Sequence, residues 1–317
     1  MAQQVRFITL DVFTLQPYTG NPLAVVFLPS EDANALTQTQ KQAITREFNL
    51  SETIFVHAGN GAKRTIDIFT TACEIPFAGH PTIGAASYFL CHSQKAGDST
   101  VDTLTTKSGD IPIALETASA AGQNAVAARI AHDVRIHANR FPARELLRLH
   151  GTLEPFFQPD DSVPVFSIVN GMSQILVELP SLEALAAVTT ALGGEIPSAN
   201  SGYLDEGWES GLILTYFFVR NVKDPQTGRT TIRTRGILGN LEDPATGSAA
   251  SGLASYLTLV DGNAGDHQYN IVQGVEMGRR SEIGVKVGMK EGKKIDSVEL
   301  KGTAVQVSEG NIVVPRQ

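Results

Sequence analysis

Cysteine is almost missing from this chain: Cys73 and Cys91 are the only two. Two thiols make no disulfide framework, and with no Cys-x-x-Cys spacing they suggest no zinc site. Charge of one sign is nowhere concentrated. The 25 Lys and Arg face 33 Asp and Glu, for a net charge of −8. Without a basic stretch, nucleic acid has no electrostatic footing and is excluded as an expected partner. No apolar run is long enough to span a bilayer, so no membrane partner is expected. The opening Met-Ala-Gln-Gln-Val-Arg-Phe lacks a basic stretch followed by a signal-like apolar core; the expectation is a soluble, cytoplasmic protein. A Walker loop, an EF-hand loop and a Gly-x-Ser-x-Gly elbow are also lacking, which argues against nucleotide, calcium and serine-nucleophile chemistry.

What the chain does have is 317 residues, 29 of them glycine, with 42% hydrophobic and 18% charged residues. That is a globular composition with room for two ordinary domains. The stretch Glu74-Ile-Pro-Phe-Ala-Gly-His-Pro-Thr-Ile-Gly-Ala-Ala-Ser-Tyr-Phe-Leu90 reads as a turn followed by a helix over 81–91. Pro81 suits a first helical position, where a missing N–H costs nothing, and places His80 at or just before the N-cap. Gly84, Ala85, Ala86 and Ser87 let other chain approach closely. A similar stretch, Leu241-Glu-Asp-Pro-Ala-Thr-Gly-Ser-Ala-Ala-Ser-Gly-Leu-Ala-Ser-Tyr-Leu257, sets Asp243-Pro244 over His80-Pro81 and Gly247 over Gly84. The match points to a duplicated unit, with Asp243 expected as the N-cap of the second helix.

Along the chain, 5–11 and 23–28 read as strands, with a turn between them. A helix is expected from 36 or 37 to 46 or 47, capped by Thr37 and ended by Asn49. Glu52 then falls at the junction of that helix exit and a strand over 53–57. A hairpin-like turn is expected at 59–63, and strands at 64–70, 101–107 and 111–115. In the later part, 143–149 and 181–190 read as helical, 165–170 and 175–179 as a hairpin, and 211–219 as a buried strand. A turn at 236–240 is expected to lead directly into the second motif helix. Strands follow at 269–273, 282–287, 294–300 and 304–307, with Gly310-Asn311 turning before 312–314. Many strands, few helices and no clean alternation of the two argue against Rossmann and TIM arrangements.

The polar candidates are Glu52, His80, Asp243 and Ser248. Each has a plain structural explanation: a turn glutamate, a capping histidine, an N-cap and a small packing residue. Glu74 reads as a strand-end solvent group, and Cys73 as a buried structural thiol. Together the four make a proton-transfer site. A glutamate in a closed cleft has its pKa raised by desolvation and can act as general acid or base. Free N–H groups at two helix starts suit a substrate carboxylate. Such a site needs no metal and no organic cofactor.

The ordered segments resemble the phenazine-biosynthesis PhzF-like family, itself similar in fold to diaminopimelate epimerase. They are Asp11-Val-Phe-Thr, Gly20-Asn-Pro-Leu-Ala-Val-Val26, Asn49-Leu-Ser-Glu-Thr53, Glu74-Ile-Pro-Phe-Ala-Gly-His-Pro-Thr82, Glu242-Asp-Pro-Ala-Thr-Gly-Ser-Ala249, Gln273-Gly, and Met277-Gly-Arg279. The resemblance implies an α+β, diaminopimelate epimerase-like fold of two pseudo-repeated halves, each a curved, mostly antiparallel sheet around a central helix. The halves are expected at 1–125, completed by 295–317, and at 126–294. It also implies a homodimer and a cofactor-independent isomerase moving a proton on a small anionic, carboxylated metabolite. By the same resemblance Glu52, His80 and Asp243 are catalytic and Ser248 binds substrate; the free N–H groups of the two helix starts add Gly79, Thr82, Ile83, Gly84, Thr246 and Gly247 as residues expected to hold its anionic groups. The epimerases carry a cysteine at each helix start; this chain has Gly79-His80 and Glu242-Asp243 in those neighbourhoods. A two-thiol mechanism is therefore not expected. The alternative is a non-catalytic small-molecule binding or regulatory protein on the same scaffold.

Overall fold

The computed structural model describes residues 3–29, 36–59, 61–116 and 124–316. Residue 60, inside the turn expected at 59–63, lies outside them. The chain divides into two compact units, Met1–Ile130 with Leu300–Gln317, and Ala131–Glu299.

The first unit contains β1 (Gln4–Val12), β2 (Asn21–Phe27), α1 (Gln38–Phe48), β3 (Glu52–Val56), β4 (Lys63–Thr70), β5 (Glu74–Ile75), α2 (Gly79–Ser87), β6 (Thr103–Thr106), β7 (Gly109–Glu116) and β8 (Ala125–Arg129). The second contains β9 (Arg135–Ile136), β10 (Phe141–Pro142), α3 (Ala143–Leu149), β11 (Ser162–Val163), β12 (Val165–Val169), β13 (Met172–Glu178), α4 (Leu182–Ala186), β14 (Leu212–Lys223), β15 (Thr230–Leu238), β16 (Leu241–Asp243), α5 (Gly247–Asp261), β17 (Gly265–Gln273) and β18 (Ser281–Lys290). Two further strands, β19 (Lys294–Gly302) and β20 (Ala304–Val313), complete the chain's order.

The two units repeat one topology. In the first, β1–β2 is antiparallel, β2–β3 parallel, β3–β4 antiparallel, β4–β6 parallel and β6–β7 antiparallel. In the second, β12–β13, β13–β14, β14–β15, β15–β17 and β17–β18 follow the same order of orientations. Each parallel pair needs a crossover, and the crossovers also correspond. Helices α1 and α4 bridge the first parallel pairs, while α2 and α5 bridge the second. A short antiparallel strand precedes each of the latter helices, β5 before α2 and β16 before α5. This is an α+β fold in which each unit carries mixed, mostly antiparallel strand pairing.

Small residues explain why α2 and α5 can lie inside. All nine residues of α2 are buried, and the helix packs on β1, β2, β3, β8 and β20. A Cβ at Gly84 would lie 2.4 Å from Leu23 Cδ2, so a larger residue there would have to displace the Leu23 side chain. In α5, a Cβ at Gly252 would lie 2.3 Å from Gln174 Oε1. A helix apolar all round is stable only when packed on every side.

Local rules account for α1. Thr37 and Gln40 form a reciprocal capping box, and Asn49 closes the helix in the left-handed conformation at φ 50°. Elsewhere the structure corrects the sequence reading. Helix α2 begins at Gly79, making His80 its second residue and Pro81 its third; proline is tolerated there because the first-turn N–H groups have no intrahelical partner. The helix ends at Ser87, and 88–92 widens into a single π turn. Asp243 is not an N-cap: it ends β16, and Thr246 precedes α5. The two helices therefore match with Gly79-His80 over Gly247-Ser248. The expected turn at 236–240 is narrower, because β15 runs to Leu238 and pairs with β16. The helix expected over 181–190 has only the five residues of α4. Gly310-Asn311 does not turn; both residues continue β20 opposite Phe7 and Arg6 of β1. Pairing along the whole of β1 outweighs a turn-like dipeptide. Cys73 is exposed rather than buried. Among the described residues no helix is long and apolar enough to cross a membrane.

Candidate active site

In the first unit, three elements bring Asn21, Glu52 and His80 together. Glu52 is the first residue of β3, opposite Thr70 of β4, directly after the left-handed exit of α1. Backbone is fixed on both sides, so the carboxylate has a defined aim. Asn21 is the first residue of β2, and His80 lies in the first turn of α2. Glu52 Oε2 stands 3.6 Å from His80 Nδ1, and Asn21 Nδ2 stands 3.4 Å from the same nitrogen. The His80 side chain is 4% exposed and that of Glu52 18%.

Burial decides the charge state of this histidine. Desolvation pushes its pKa down from 6.5 to about 3, so the ring is neutral near pH 7. With the imidazole neutral, Glu52 and His80 are not an ion pair. At 3.6 Å the contact is longer than a normal hydrogen bond. Nε2 of His80 is buried and has no hydrogen-bond partner among the described residues. A buried polar nitrogen left so costs on the order of 1–3 kcal/mol, and such a cost is commonly carried where function needs the group.

Gly79, Thr82, Ile83 and Gly84 share the same buried helix. The N-cap residue Ala78 makes no side-chain cap bond, which leaves the first N–H groups uncapped from that side. Thr82 turns its hydroxyl back to the Ala78 carbonyl at 2.8 Å. Ile83 is fully buried, and Gly84 is pressed against Leu23.

In the second unit, Asp243, Thr246, Gly247 and Ser248 lie on one short run from β16 into α5. Asp243 pairs with Gly236 across β15–β16. Its Oδ2 accepts a 2.7 Å bond from the Thr246 hydroxyl. That hydroxyl therefore does not cap α5, whose start also has no side-chain cap bond. Ser248 is half-buried, at the second position of α5. Beneath this run lie two residues that position alone did not reveal. Gln273 donates to the Asp243 carbonyl and also accepts from Tyr216. Tyr216 is fully buried, and desolvation pushes its pKa above the ordinary phenol value, so it remains protonated. Asn21 and Gln273 occupy the Gly-Asn-Pro and Gln-Gly segments, but nothing in those segments indicates a role at a site.

Glu74 is paired with Lys107 at 2.6 Å, with its side chain 10% exposed; it is not a free solvent group. Among the described residues no group of three or more His, Cys, Asp or Glu is arranged to hold a metal. A cavity of about 690 Å³ opens at the opposite end of β3 from Glu52, where Val56, His57, Tyr88 and Phe89 line it. Its lining includes none of the candidate residues, so cavity size does not locate the chemistry in this unit.

The chain is similar to named enzymes over nearly its full length. It is 31% identical to a trans-2,3-dihydro-3-hydroxyanthranilate isomerase of Pseudomonas fluorescens, covering 98% of this chain and 99% of that one. The enzyme of that name from Pseudomonas chlororaphis is 32% identical over the same shares. Among solved structures, a PhzF-family phenazine biosynthesis protein of Bacillus anthracis superposes with a TM-score of 0.72 at 20% identity, covering 98% of this chain and 100% of that chain. A hydroxyproline epimerase of Agrobacterium vitis shares the fold at a TM-score of 0.61 and 9% identity, covering 99% and 94%. The phenazine biosynthesis-like (PhzC-PhzF) family model matches residues 10–310, and the chain belongs to that family.

Proposed function

We propose that this protein is an isomerase that moves a proton on a small carboxylated metabolite, with Glu52 as the proton shuttle. The observation that carries this reading is the carboxylate of Glu52 beside the buried, neutral ring of His80. A shuttle must take a proton from one atom and return it to another, so it needs a fixed position and one charge state to return to. Strand β3 and the exit of α1 supply the position. A neutral His80 neither traps the carboxylate as an ion pair nor competes for the proton, and it can hold a substrate polar group.

In this reading Asp243 assists the proton transfer and Ser248 binds substrate. The first-turn N–H groups at each helix start, of α2 and of α5, suit an anionic group. Each step is a proton transfer between substrate and side chain, so the reaction as written uses neither metal nor organic cofactor. The relatives' name makes trans-2,3-dihydro-3-hydroxyanthranilate the first substrate to offer. The working form is proposed to be a cytoplasmic homodimer, which light scattering of the purified protein tests.

The deciding experiment follows solvent deuterium into that substrate. Wild-type protein is expected to produce isomer carrying deuterium at the protonated carbon. Glu52→Gln is expected to fold and to lose about 10²–10⁴ of the turnover. A folded Glu52→Gln variant with full turnover would remove Glu52 from the mechanism. Tight binding with neither isomer formed nor exchange would favour a binding or regulatory protein.

A further inference from the structure

Gln273 ends β17 with its side chain fully buried. Its Nε2 donates to the main-chain carbonyl of Asp243 at 2.8 Å and to Thr246 Oγ1 at 3.0 Å. Its Oε1 accepts from the Thr246 backbone N–H at 3.2 Å and from the Tyr216 hydroxyl at 2.8 Å. Two of these partners have fixed polarity, since a backbone carbonyl only accepts and a backbone N–H only donates. The amide therefore fits one way round. Reversed, it would set oxygen against oxygen and N–H against N–H.

That polarity propagates. With a Gln273 N–H aimed at its oxygen, the Thr246 hydroxyl must send its own proton elsewhere, and its partner at 2.7 Å is Asp243 Oδ2. The backbone thus sets the amide, the amide sets the hydroxyl, and the hydroxyl sets the carboxylate. The surrounding packing leaves this run little freedom. A Cβ on Gly236 would lie 2.8 Å from Thr246 Oγ1 and 3.2 Å from Gln273 Nε2. Gly274 has φ +74°, and a Cβ there would meet the Pro244 carbonyl at 2.7 Å.

We infer that Gln273 is the positioning residue for Asp243, acting through the Thr246 hydroxyl without touching the substrate. The inference rests on the proposed role of Asp243, so Asp243→Asn is assayed in parallel. The test measures kcat and KM on trans-2,3-dihydro-3-hydroxyanthranilate for Gln273→Met, Thr246→Val, their double variant and Thr246→Ser. It also measures amide hydrogen exchange at Thr246. Thr246→Ser keeps the hydroxyl and is expected to turn over faster than Thr246→Val. Gln273→Met and Thr246→Val are each expected to lower kcat about 10- to 100-fold, the scale of a misplaced reacting group, with KM nearly unchanged. The double variant is expected to be no slower than the slower single, because both remove one relay. Independent, additive losses would mean ordinary structural damage and would overturn the inference.

Wild-type kcat in Gln273→Met would overturn it too, and if Asp243→Asn is inactive the reading of Asp243 survives that failure. Full turnover in Asp243→Asn removes both. Should Gln273→Met fail to fold, the Thr246 pair decides: equal rates in its serine and valine variants overturn the relay. If wild type does not turn over this compound, the exchange measurement decides, with about tenfold faster exchange at Thr246 expected in Gln273→Met and an unchanged rate overturning the inference.

Discussion

Acid should destabilise this protein partly through one histidine. His80 is 4% exposed, and burial holds its pKa near 3 against 6.5 for the free ring. Below pH 6.5 the unfolded chain binds a proton at this position that the folded chain refuses. Stability then rises with pH between those values and is lost as pH falls from 6.5 towards 3. From 6.5 down to 4.5 the linkage is worth about 1.4 kcal/mol per pH unit, or roughly 2–3 kcal/mol in all. The perturbation is His80→Gln, which keeps a neutral polar side chain that cannot titrate. Urea unfolding of both proteins at pH 7.5 and 4.5 isolates the effect, because every other titrating group is common to the two. Wild type is expected to lose about 2–3 kcal/mol more than the variant over that interval. Equal losses, or a His80 ring resonance titrating near pH 6.5, would refute the argument that burial keeps this ring neutral.

Other perturbations follow from contacts away from that ring. Arg64 and Asp98 form a buried pair at 2.9 Å, with Arg64 also bonded to the Gly61 and Lys63 carbonyls and Asp98 to Ser93. Arg64→Met should cost about 3–5 kcal/mol in urea unfolding, and Arg64→Met with Asp98→Leu should recover most of it. Thr37→Ala removes half of the capping box of α1 and should cost about 1 kcal/mol in the same assay. Gly274→Ala forces a side chain into a left-handed backbone against the Pro244 carbonyl. It should lower stability by at least about 1–2 kcal/mol, read as a fall in Tm.

Short-range rules were legible in the sequence where neighbours in the chain are the cause. The Thr37 cap and the Asn49 exit depend on residues within one turn of each other, and both appear in the structure. The duplication was legible from two Gly- and Ala-rich stretches, but in a register five residues off: the sequence match sets Gly247 over Gly84, whereas the two helices begin at Gly79 and Gly247. Three-dimensional competition hid the rest. Gly310-Asn311 looks like a turn until β1 is known to pair along both residues. Asp243-Pro244 looks like a helix start until Asp243 is seen opposite Gly236, with β16 consuming the residues before α5. No spacing relates Glu52 to His80; their 3.6 Å separation depends on β3 and α2 packing together. Tyr216, Thr246 and Gln273 meet from three elements far apart in the chain, so their network has no signature in any window.

Strand β20 pairs antiparallel with β1 from Gln4↔Val313 to Val12↔Ala304. On a ribosome, β1 must therefore wait for β20 to be made. The whole of residues 131–299 emerges first and can fold while the nascent amino-terminal layer still has an open edge. An open edge is where a growing chain is vulnerable to wrong partners. A product lacking residues 300–317 would leave β1 without its β20 partner along Gln4–Val12 and keep that edge open to wrong pairing.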